Sequence, residues 1–147
     1  MDKIIILTPL FFAFGYLVFY IIAGPNSNPT SFRYNLLFER DYFLKQLLFA
    51  ILFFLIGILR YKSHPFDIYY IVPLVFILQL KLINPIFRRL YNRNIIIAIK
   101  GSRPARGKNG IKVFDKIIGF LIYMLSITLP FIIIMIEKSN NHISKTF

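Results

Sequence analysis

The chain has no cysteine, which excludes disulfides, thiolate zinc sites and cysteine nucleophiles at once. It is poor in acid: six Asp and Glu stand against eighteen Lys and Arg, a formal charge of +12. It has only two histidines, His64 and His142. They sit in separate polar segments, and a metal site built on them needs carboxylate help that the surrounding sequence does not supply. No Asp, Glu, Arg or His stands near the middle of any apolar run, which argues against a proton- or sodium-coupled carrier.

What is abundant is apolar side chain. Hydrophobic residues make up 57% of the 147 positions, above the range usual for soluble domains. A soluble fold of this size could not hide so much apolar surface, so lipid must cover part of it. Four apolar segments follow one another, about 4–23, 43–59, 68–83 and 117–136. The first is too long for the apolar core of a signal peptide and carries both Asp2 and Lys3 before it; it reads as a retained transmembrane helix. The first and last segments reach the length a bilayer requires, and the middle two sit at its short limit. The competing reading makes segments two and three a re-entrant hairpin around RYKSHPFD, which needs protein or water around its backbone. The expected fold is therefore a single all-α membrane domain over 1–147: four spans, a long basic loop at 84–116 and a polar tail at 137–147.

Charge orients the spans. Residues 84–116 carry nine basic residues, Arg88, Arg89, Arg93, Lys100, Arg103, Arg106, Lys108, Lys112 and Lys116, against Asp115 alone. By the positive-inside rule this loop is cytoplasmic. The segment around Arg33 and Arg40 joins it there, and both termini fall outside. Richness in Ile, Phe, Lys and Asn fits coding from an AT-rich bacterial genome, so the expected location is a bacterial cytoplasmic membrane.

The most conspicuous motif is GSRPARGKNG at 101–110. A phosphate-binding P-loop has four residues between its first glycine and the Gly-Lys pair, then Ser or Thr to hold magnesium. Here five residues separate Gly101 from Gly107, and Asn109 follows the lysine. The match fails as a nucleotide site. What survives is an anion-friendly turn whose glycines let backbone amides converge, close to anionic lipid headgroups. Nucleic acid is not expected, because the basic residues alternate with isoleucines rather than with an aromatic stacking platform. IFRRLYNRNIIIAIK reads as an amphipathic stretch that lies on the membrane face or continues the third helix; its β-branched residues leave a strand open.

Other polar residues have structural readings. Lys81 stands near the cytoplasmic end of the third span, placed to snorkel to the interface or to pair with an acid of another chain. Gln79, Ser126 and Thr128 suit hydrogen bonds between helices. Pro9, Pro73 and Pro130 fall within apolar segments, where membrane helices tolerate them. Ser31 is placed to cap a short helix, and Asp115 lies favourably at the start of the fourth span. Glu39-Arg40-Asp41 is the best enzymatic candidate, and His64 with Asp67 is at most half a metal site.

Three functions follow. The leading one is a non-enzymatic membrane protein acting by association, as an accessory or assembly subunit or a homo-oligomer. Its basic loop would contact anionic lipid or an acidic partner, with no cofactor. The second is a small membrane effector: a pore former, a toxin-neutralising protein or a defence component. The third is a lipid-processing enzyme using Glu39 and Asp41.

Overall fold

The structure, a computed structural model, describes residues 2–22, 29–98 and 110–143, with side chains over 7–22, 30–98 and 110–139. Helix α1 runs Asp2–Ile21, α2 Arg40–Tyr61, α3 Val72–Tyr91 and α4 Val113–Ile143. Short 3-10 turns at Pro29–Ser31, Arg33–Phe38 and Pro65–Ile71 join them. The described residues contain no strand. Three stretches are long and apolar enough to cross a membrane: Arg40–Tyr61, Pro65–Tyr91 and Val113–Ser139. α1 adds a described apolar stretch, Leu7–Ile21.

The ends of the helices explain their limits. α2 starts after Glu39, and Asp41 stands in its first turn, where a carboxylate is favoured by the helix dipole. Ser31 belongs to the first 3-10 turn, and Phe32 stands at the N-cap position of the second with no side-chain cap of its own. Pro73 lies in the first turn of α3, where the missing N–H has no helical partner to lose. Asn92 ends α3 in the left-handed region at φ 52°, its N–H bonding Arg88 O at 3.0 Å.

Two expected boundaries move. The apolar run of the third segment ends at residue 83, and α3 takes the continuation left open for IFRRLYNRNIIIAIK, through Pro85 to Tyr91. The second gains residues at both ends. With spans of 22 and 27 residues, the shortness that suggested a re-entrant hairpin disappears.

Neighbouring helices run antiparallel. Tyr20 near the end of α1 meets Tyr42 near the start of α2, oxygen to oxygen at 3.0 Å. Lys81 Nζ lies 4.6 Å from the Phe43 ring, so the second half of α3 faces the start of α2. At the other end Tyr61 donates to Glu137 of α4, and Arg60 approaches Asp67 to 2.9 Å. Asp115 and Glu137 are separated by about 33 Å of helix at 1.5 Å per residue. Polar groups thus gather at two levels about a hydrocarbon core apart. Between them lies an aromatic layer in which Phe12 stacks on Phe53 at 4.4 Å and touches Tyr70 at 5.3 Å. Gly57 lets α2 approach the 65–71 turn: a Cβ there would lie 2.7 Å from Asp67 O.

Candidate functional site

The densest polar cluster lies at the basic end, around a stretch of extended backbone. After Asn92 the chain turns inward, and Ile95, Ile96 and Ile97 are buried. IFRRLYNRNIIIAIK thus splits: its first part continues α3, and Ile95, Ile96 and Ile97 enter the core as neither helix nor strand. Buried backbone without a ladder needs other partners, and three elements supply them. Ile95 N donates to Asn84 Oδ1 at 3.0 Å, Ile96 N to Asp115 Oδ1 at 3.1 Å, and Ile97 N to Tyr34 Oη at 2.9 Å. Burial pushes the Tyr34 phenol above its ordinary pKa, so it remains a neutral hydroxyl. Gly119 of α4 backs this segment, since a Cβ there would stand 3.3 Å from Ile97 Cα.

Asp115 anchors the cluster. Fully buried, it receives Arg93 Nη1 at 3.0 Å and Nη2 at 2.5 Å in a bidentate pair. Its Oδ2 also accepts Lys112 N at 2.8 Å. Lys112 precedes α4 and Asp115 is its third residue, so this is the backward half of a capping box. Sequence placed Asp115 at a helix start; it gave no sign of Arg93, 22 positions earlier. Arg93 was expected to face lipid or a partner. Its side chain is only 10% exposed and is held by Asp115, so it is a structural cation.

The remaining basic residues divide. Lys100, Arg103, Arg106 and Lys108 lie outside the described residues, as does GSRPARGKNG up to position 109. Lys112 and Lys116 are exposed near the start of α4. Arg88 and Arg89 are exposed on the last turn of α3 and share a cleft of about 320 Å³ with Lys81, Asn84, Pro85, Leu37 and Phe38. Arg88 Nε donates to Asn94 Oδ1 at 2.9 Å, and Asn84 Nδ2 donates to the same oxygen at 3.0 Å.

The intramembrane polar residues do not join helices as expected. Ser126 donates to Ile122 O at 2.7 Å and Thr128 to Met124 O at 2.9 Å, both one turn back in α4. Each hydroxyl answers a carbonyl of its own helix. Gln79 Oε1 is buried with no hydrogen-bond partner among the described residues. Glu39 and Asp41 are exposed where α2 begins. Asp67 is 2% exposed and faces Arg60; the contact is one of charge rather than an aligned hydrogen bond. No group of three or more His, Asp or Glu among the described residues is placed to hold a metal ion. His142 has no described side chain.

Compared with protein-family models, curated proteins and solved structures, the chain matches none of them.

Proposed function

We propose that the chain is a four-span, non-enzymatic membrane protein of a bacterial cytoplasmic membrane, acting by association as a subunit of a larger assembly or as a homo-oligomer. Its basic end lies in the cytoplasm and both termini lie outside. The observation that carries this reading is the outer face of α2. Leu44, Leu48, Leu52, Leu55 and Leu59 are all exposed along it, at spacings of four, four, three and four. That spacing matches the ridge along which one helix can pack against another. α2 is also the least covered span: 11% of its apolar window is buried, against 44% and 28% for the other two. The shortness of the middle spans no longer supports association, since both are long enough; the leucine seam takes its place.

Orientation follows from charge. Among residues with described side chains, the basic end carries nine Lys and Arg against three acids. The far end carries Arg60, Lys62 and Lys138 against Asp67 and Glu137. The excess belongs on the cytoplasmic side. Purification in mild detergent, followed by native mass spectrometry, tests the proposal. It predicts a second copy or a co-purifying chain, weakened when Leu48, Leu52 and Leu55 are changed together to Ala. A lone monomer at every protein concentration would overturn it.

A further inference from the structure

We infer that the cleft formed by Lys81, Arg88 and Arg89 is a binding site for a phosphate group, supplied by the headgroup of an anionic phospholipid. The inference rests on the reading above, in which this end of the bundle lies at a lipid surface. Lys81, Arg88 and Arg89 are seven and eight positions apart, two turns along one face of α3. All three line one cleft, and none is within ion-pairing distance of an acid among the described residues. Three cations without a counter-ion repel one another, and an anion between them relieves that repulsion.

The cations are also held in place. Arg88 is fixed through Nε by Asn94, leaving the two terminal nitrogens of its guanidinium for a ligand. Asn94 in turn holds Asn84 on the cleft floor, and Asn84 is fixed by the Ile95 amide. Lys81 rests on the Phe43 ring. Asn94 and the buried Ile95 amide therefore brace the cleft, and a braced site loses less entropy on binding. The walls argue for a lipid rather than a free ion. Leu37, Phe38 and Pro85 complete the cleft, and exposed Leu78, Leu82 and Ile86 continue along α3. An acyl chain below a bound phosphate would meet apolar surface. Lys81 is thus drawn into a site with two residues that sequence assigned to the loop.

The test uses the full chain in nanodiscs of phosphatidylcholine, titrated with phosphatidylglycerol and read by native mass spectrometry. A surface cation contributes about fivefold toward anionic lipid. The combined change of Lys81→Gln, Arg88→Gln and Arg89→Gln should lower phosphatidylglycerol retention at least tenfold. Lys112→Gln with Lys116→Gln removes two exposed charges at the same end without touching the cleft, and should lower retention at least threefold less than the cleft set does. The charge-keeping set Lys81→Arg, Arg88→Lys, Arg89→Lys should restore most of the binding, separating a lost site from a lost fold. Inorganic phosphate as competitor distinguishes the sources: no displacement at millimolar concentration assigns the site to lipid, and displacement assigns the same cleft to a soluble phosphate. The inference is overturned if wild-type protein shows no preference for phosphatidylglycerol, or if both neutralised sets lose binding equally. Retention of an acidic protein without lipid would also overturn it. Flotation with vesicles separates the two proposals: a chain that floats without lipid preference removes only this site, and one that does not float removes both.

Discussion

Replacing Asp115 with Ala is the most informative single perturbation of this fold. The carboxylate is fully buried and takes four hydrogen bonds, two from Arg93 and one each from the Ile96 and Lys112 amides. Breaking a buried ion pair from one side costs about 3–5 kcal/mol, because the other charge is left uncompensated. The buried Ile96 amide left without an acceptor adds about 1–3 kcal/mol, and the part-buried Lys112 amide adds less. These terms overlap, since a loosened loop can turn its amides toward water. The expected loss is therefore on the order of 4–6 kcal/mol, a large part of the usual stability of a domain. Denaturant unfolding in mild detergent, followed by far-ultraviolet circular dichroism, measures it. The diagnostic step adds Arg93→Met. Removing the stranded guanidinium should recover about 2–3 kcal/mol, so the double variant is more stable than the sum of the single effects. Hydrogen exchange should quicken at Ile96 in Asp115→Ala. Effects that add to within about 0.5 kcal/mol, or a single-variant loss below about 1 kcal/mol, would refute the anchor.

Other outcomes follow from the same contacts. Gly57→Ala should cost about 1–3 kcal/mol, because its Cβ would sit 2.7 Å from Asp67 O and 3.2 Å from Tyr70 Cβ; a thermal melt that does not fall would mean that α2 and the 65–71 turn are not this close. Tyr34→Phe should cost about 1–2 kcal/mol by removing the acceptor of the Ile97 amide. Burial raises the Tyr34 pKa, so its contribution is complete below about pH 10 and fades as pH rises further toward the raised value. Melting curves of wild type and Tyr34→Phe should therefore converge above pH 10, and a constant gap would contradict the assignment.

Sequence made the helical elements legible because apolar length is a local property. It also placed Asp115 at a helix start, since the dipole argument needs only neighbouring residues. Sequence leaves the end of α3 open, because proline usually stops a helix while the amphipathic pattern of IFRRLYNRNIIIAIK allows the continuation through Pro85 that α3 takes. The buried course of Ile95, Ile96 and Ile97 was illegible for a different reason. Its amides are satisfied by Asn84, Tyr34 and Asp115, from three separate elements, and such bonds leave no periodic trace in the sequence. The same holds for Arg93, whose role depends on a partner across the fold. Ser126 and Thr128 show the converse: a hydroxyl in a helix can always bond one turn back, so its presence does not identify a neighbour.

The central claim, a membrane bundle with a basic cytoplasmic end and an opposite outer end, is tested most directly by cysteine accessibility, because the native chain has no cysteine to interfere. Lys62→Cys and Lys112→Cys, made one at a time in intact cells, should react with an impermeant maleimide on opposite sides: the first from outside, the second only after the membrane is opened. Equal labelling of the two from the same side would contradict the account.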